Sequence, residues 1–278
     1  MMETLVHPGP APARRWAAAP CRAEPVDLLL PVADRLADSV ALALADFDGG
    51  WLEIADQTLG NLDFVIPGED STGAHAAWYA GPYRMGAGRI THLGMHVGRK
   101  DGGPWLHGHG GFAAAGWEGP DFGHILPFES RLARPVRARG WGLKGARLEV
   151  AQDAETNFPL FQPVALGGGG KAALVTLRPN QDFTEALEAA AAEAGIAEGR
   201  VYGLGSIVRP KLEGQPRIPS HATELLLTEA VITKGRARIG IEVVTLHGTR
   251  HRGVLERGEN AVCITAELLV VAGEGMAG

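Results

Sequence analysis

The chain has 278 residues, a formal net charge of −6 and a pI near 5.9, so no whole-molecule field draws it to nucleic acid. Hydrophobic residues at 45% and charged residues at 21% exclude a disordered, collagenous or coiled-coil chain. Cys21 and Cys263 are its two cysteines, which excludes a disulfide framework and a cysteine-rich zinc module.

Residues 1–24 hold prolines but no periodic pattern and read as an N-terminal arm. Residues 1–20 lack the apolar h-region of a signal peptide. The longest clean apolar run, 268–273, is far too short for a membrane span. A soluble cytoplasmic protein is expected, with no membrane partner. Residues 25–164 form the first domain. It opens on a helix in which Val32, Leu36, Val40 and Leu44 recur every four residues, with Pro31 in the first turn. The run Gly167 to Gly170 marks a linker over 165–171. Residues 172–273 form a second, shorter domain. Its helix carries Phe183, Leu187, Ala191 and Ala194, with Asp182 and Glu185 at capping-box spacing and Gly195 at the C-cap. The period then becomes two. Ile239, Ile241, Val243 and Thr245 share one strand face, and Val262, Ile264, Ala266, Leu268 and Val270 share another, with Glu267 opposite.

The halves look like copies. Gly60, His75-Ala76 and Gly88-Arg89 match Gly205, His221-Ala222 and Gly235-Arg236 at offsets of 145 to 147. Gly123-x-x-Leu126 and Glu129 match Gly253-Val254-Leu255 and Glu259 at an offset of 130. The second copy therefore lacks about seventeen residues between those anchors, and the His-x-His segment described next is expected to be what is missing.

On a strand, His107 and His109 point to one face, and His124 can arrive from a neighbouring strand. Gly108, Gly110 and Gly123 leave room for close backbone approach. Three neutral imidazoles suit zinc, with nickel or ferrous iron as alternatives, and leave a coordination position open. The same residues also fit hydrogen-bonded histidines in a glycine-rich turn. His92 and His96 read as half-buried histidines. Arg137, Arg139 and Trp141 share a face in a stretch, 131–147, that has six basic residues and no acidic one. They are a candidate anion or nucleic-acid contact, able also to line the metal pocket, or else a solvated edge strand.

With Leu106-His107-Gly108-His109, Phe122-Gly123-His124-Ile125-Leu126 and Gly203-Leu204-Gly205-Ser206 in this order, the sequence resembles the plants-and-prokaryotes-conserved (PPC) domain family, best known from plant AT-hook DNA-binding proteins. The resemblance covers both halves as a tandem pair. It implies an α/β (α+β) fold: two compact domains, each a mainly antiparallel sheet with one principal packed helix. It also implies metal at His107, His109 and His124, and a homo-oligomer, a trimer being favoured. The apolar strand face 262–270 is expected to be covered by that association. No AT-hook is present, so direct DNA binding is not expected. The leading reading is a metal-binding regulatory or ligand-sensing protein of the family's DNA-binding type, taking a small anionic ligand. The alternative is a metal-dependent hydrolase or lyase using a metal-bound water, with Glu129 as its supporting acid.

Overall fold

The first half of the chain runs β1 (Trp16–Leu30), α1 (Leu36–Ala43), β2 (Gly49–Gly68), β3 (Trp78–Lys100), β4 (Gly103–Ala113), β5 (Phe122–Ile125), β6 (Arg131–Leu132), β7 (Val136–Lys144), β8 (Ala146–Gln152) and β9 (Pro159–Ala165). The second runs β10 (Ala172–Leu177), α2 (Phe183–Glu193), β11 (Gly199–Ile207), β12 (Thr223–Thr233), β13 (Arg236–Thr245), β14 (Arg250–Val254) and β15 (Val262–Ala272). The structure, a computed structural model, describes residues 2–273. It is an α+β fold dominated by strands. Among the described residues no helix is long and apolar enough to cross a membrane.

Both helices follow from local chemistry. The Asp182 carboxylate accepts the Glu185 N–H at 3.0 Å, satisfying a first-turn donor of α2, and Gly195 follows at φ +74°. The first helix starts later than its apolar spacing predicts. Arg35 is extended, and Val32 lies outside the helix, 50% exposed. The helix begins where its first donors find acceptors: Leu36 N–H bonds Ser130 O at 2.8 Å and Ala37 N–H bonds Pro127 O at 3.0 Å.

Each half builds its sheet in one order. In the first, the antiparallel neighbours run β5-β4-β3-β2-β7-β1. In the second they run β14-β13-β12-β11-β15-β10. The β3–β4 turn at Asp101-Gly102 and the β12–β13 turn at Lys234-Gly235 share positive φ at both positions. Counted from those turns, Gly240 and Glu242 stand on β13 where His107 and His109 stand on β4. The expectation that the His-x-His segment is missing as a unit is therefore corrected: the strand is present and carries other residues. The length difference lies earlier. Residues 49–100 span 52 positions across β2, β3 and their loop, against 35 in residues 199–233 across β11, β12 and theirs, a difference of 17. Sparse glycine identities misplaced the gap, because a glycine match does not fix strand register.

Residues 16–24 are not an arm. They belong to β1, whose first part pairs with β10 (Trp16↔Leu177 to Cys21↔Ala172) and whose second part pairs with β7 (Arg22↔Lys144 to Leu30↔Val136). Period-two alternation sends β10, β11, β12, β13 and β15 of the second sheet into two cores. Leu225 and Leu227 on β12, with Ala266, Leu268 and Val270 on β15, pack with Phe183 and Leu187 of α2. Leu226 and Leu269, facing the other way, pack with the first half's core, which holds Trp51, Leu93 and Met95. The apolar β15 face is thus covered within the chain by α2 and needs no second copy.

His96 is fully buried at this junction, edge-on to Trp51 at 4.7 Å, and its Nε2–H donates to Glu267 O at 2.9 Å. Burial pushes its pKa down to about 4. A depressed pKa means the unfolded chain takes up the proton first, so this stability is complete above pH 6.5 and is lost as pH falls toward about 4. His124, also lowered by burial, adds in the same direction. Between pH 6.5 and 5 the metal-free protein should lose about 2 kcal/mol from His96 alone. Urea midpoints at the two pH values check this, with His96→Gln expected to flatten the profile.

Candidate metal centre

Strand β4 places Trp105, His107 and His109 on one face. The register sets His96 beside His107 on β3 and His124 beside His109 on β5. Strand β5 also pairs with the far end of β2, through Phe64↔Ile125 and Val65↔His124, so β2, β3, β4 and β5 close into a ring of pairings around these residues. The extra residues of the β2–β3 hairpin supply that end. Gly110 and Gly123 face each other across β4 and β5. A Cβ at Gly110 would lie 2.3 Å from His92 O, and one at Gly123 2.3 Å from Val65 O, so only glycine allows the approach.

The second half completes the cluster. Glu224 of β12, on the strand face it shares with Leu226, brings Oε2 to 2.7 Å from His109 Nε2. One ligand atom from each of His107, His109, His124 and Glu224 lies within 4.8 Å of every other. Tetrahedral ligands at 2.0–2.1 Å from an ion stand about 3.3 Å apart, and the cluster includes separations of 2.7 and 3.1 Å.

Hydrogen bonds fix which nitrogens face inward. His109 Nδ1 bonds Leu225 O at 2.8 Å, and a carbonyl only accepts, so that nitrogen carries the proton. His107 Nδ1–H donates to Glu267 Oε2 of β15 at 2.6 Å. The two Nε2 atoms then face each other at 3.1 Å. Two lone pairs at that separation repel unless a cation or a proton lies between them. His124 Nδ1 is buried with no hydrogen-bond partner. Carboxylate and carbonyl partners behind the ring nitrogens are what orient histidines for metal. Burial alone would lower the His107 pKa, yet Glu267 and Glu224 outweigh it and hold it above the ordinary value. Burial drives His124 well below that value, and His107 and His109 add to the effect, so it stays a neutral imidazole with a free lone pair.

The three histidines expected from sequence are brought together. Glu129 is exposed, its backbone carbonyl accepting from Asn61 Nδ2 at 2.9 Å; the carboxylates bonded to the histidines are Glu224 and Glu267 instead. Arg137 and Arg139 are exposed and both bond the carboxylate of Asp27, at 2.6 and 3.1 Å, so the basic patch is partly neutralised by the opposite strand. Trp141 packs on Tyr202 of β11 at 6.0 Å. None of the three lines the cavity at the cluster. His92 Nε2 pairs with Glu242 Oε2 at 2.6 Å, another tie between the halves. Glu224 and Glu267 had a legible signal. Glu267 is the one carboxylate of β15, and Glu224 directly precedes the apolar run Leu225 to Leu227 of β12; a charge buried among such residues must be paired.

Replacing Gly110 tests how the site is positioned. Gly110→Ala forces a methyl group against His92 O and should cost about 2 kcal/mol or more. It should also separate β4 from β5, visible as a lower thermal midpoint and as displaced His109 and His124 imidazole resonances.

No family model matches the chain, and no curated protein matches it. Similar solved structures include a metal-containing protein of Archaeoglobus fulgidus, at 20% identity and a TM-score of 0.38, covering 50% of this chain and 93% of that one. They also include a plant- and prokaryote-conserved (PPC) protein of Pyrococcus horikoshii, at 16% identity and a TM-score of 0.36, covering 52% of this chain and 96% of that one.

Proposed function

We propose that this chain is a metal-binding protein of regulatory or ligand-sensing type, its ion held between the two halves. The supporting observation is the convergence of His107, His109, His124 and Glu224, with Glu267 behind His107. The residues fit an ion because two inward Nε2 atoms oppose each other and His124 Nδ1 is buried and unpartnered. Three imidazoles and one carboxylate are a borderline-hard donor set, which suits zinc and also accepts nickel or ferrous iron. When bound, the ion supplies a Lewis-acidic centre at the end of an aromatic cavity. This chain's residues do the rest. Leu225 O and Glu267 orient His109 and His107, and Glu224 neutralises charge. An ion bridging the halves ties the stacking of the sheets to occupancy, which is the property a sensor needs.

His107→Ala, His109→Ala and His124→Ala should each lower metal content tenfold or more after dialysis at neutral pH, with Glu224→Gln close behind, because second-half residues complete the site. Arg137→Ala combined with Arg139→Ala should leave the ion in place. Wild-type occupancy should fall as pH drops, since bound imidazoles must be unprotonated and His107 is held above the ordinary imidazole value. Elemental analysis of the proteins side by side gives the answer. A wild-type chain that holds no ion from any supplied metal overturns the proposal.

A further inference from the structure

A cavity of about 300 Å³ opens onto the cluster, with His107, His124 and Glu224 in its lining. This is the lower end of the range for small-molecule pockets, with room for roughly ten to fifteen non-hydrogen atoms. Its other walls are aromatic: Trp78, Tyr79, Trp105, Phe128, Phe158 and Phe161. These rings are mutually braced. Trp78 stacks on Phe158 at 5.1 Å and 24°, Trp105 lies 4.9 Å from Phe128, and Tyr79 stands edge-on to His124 at 5.4 Å.

Besides the cluster, the polar lining holds Ser206, Thr223, Cys263, Thr265 and the exposed Glu129, a third carboxylate. Three hydroxyls in the lining are already committed to backbone: Ser206 Oγ accepts from Ile264 N–H at 2.9 Å, Thr223 Oγ1 donates to Ile207 O at 2.8 Å, and Thr265 Oγ1 donates to Leu177 O at 3.4 Å. The Cys263 thiol, its pKa pushed up to about 12 by burial, is neutral. Among the described residues no lysine or arginine lines the cavity. The two carboxylates Glu224 and Glu267 already balance a divalent ion, so a dianionic ligand would leave uncompensated negative charge in a water-poor space.

We infer that the ligand read at this site is a small molecule with an aromatic body and one oxygen-donor head, carrying no more than a single negative charge. Phosphorylated compounds are excluded by the same lining. The inference rests on the metal reading above. The donor head meets the ion, and the rings beyond it select the body by buried area and edge-to-face contact.

The test uses the full chain loaded with zinc, its metal content measured first, titrated calorimetrically with phenylacetohydroxamic acid, acetohydroxamic acid and phenyl phosphate. The phenyl-bearing hydroxamate should bind tenfold or more tighter than the methyl one, and phenyl phosphate should not compete. Trp78→Ala should remove most of that advantage while leaving the zinc content unchanged. Trp78 is 43% exposed, so its truncation opens no core. Trp105→Ala, on β4 itself, provides a second and independent loss. Equal affinity for the two hydroxamates, or tight binding of phenyl phosphate, by a chain that holds zinc overturns this inference and leaves the metal reading intact. A chain that takes up no ion overturns both.

Discussion

Glu224 and Glu267 lie at 9% and 1% exposure between two stacked sheets, and each is bonded to an imidazole from the opposite half. A carboxylate in such a place is tolerated only if paired, and removing one partner of a buried pair typically costs about 3–5 kcal/mol. The two His–Glu contacts therefore do more than decorate a packed interface. They make the register of β12 and β15 against β4 a condition of stability. Glu267 is doubly fixed, since its side chain meets His107 while its carbonyl accepts from His96. A slip of one residue in β15 would turn Glu267 toward α2 and put Leu268 against the histidines.

Around that constraint the architecture is economical. Strand β1 belongs to both sheets, pairing with β10 and then β7, so the halves share backbone hydrogen bonds as well as a core. The seventeen additional residues of the first half lengthen the β2–β3 hairpin, and this is where site and cavity come from. The hairpin end pairs with β5 beside His124, and it carries Trp78 and Tyr79 into the cavity wall. In the second half β11 and β12 are short, and β13 bears Gly240 and Glu242 at the positions of His107 and His109. One half thus supplies imidazoles and the other carboxylates.

Much of this is legible in the residues themselves. His107 and His109, two apart among glycines, announce a shared strand face, and Asp182 with Glu185 announces the start of α2. The length of the inserted segment is readable too, although its position is not. Gly88-Arg89 matches Gly235-Arg236 in letters only, since one lies within β3 and the other sits at the β12–β13 turn. The carboxylates are harder to see. Glu224 is separated from His109 by more than a hundred residues, and local periodicity carries no information about which sheet face meets which. Alternation places Glu267 opposite Ala266 and Leu268, as found. That opposite face also holds Leu269 and Val271, so it is a second buried face and not a solvated one. Arg137 and Arg139 mislead for the reverse reason. Their segment contains no acid, but the adjacent strand brings Asp27 to them.

The order in which the parts of the site leave the ribosome has its own consequence. Glu267 follows His109 by 158 residues. At synthesis rates of about 5–20 residues per second, the histidines exist for roughly ten to thirty seconds before both carboxylates that complete and orient them. During that interval β4 and β5 can pair, but the His107 and His109 imidazoles lack the carboxylates that meet them in the folded chain. His107 gains its Nδ1 partner only when β15 docks. A buried cluster whose members lie this far apart in the chain is thereby assembled late, unlike one built from neighbouring residues.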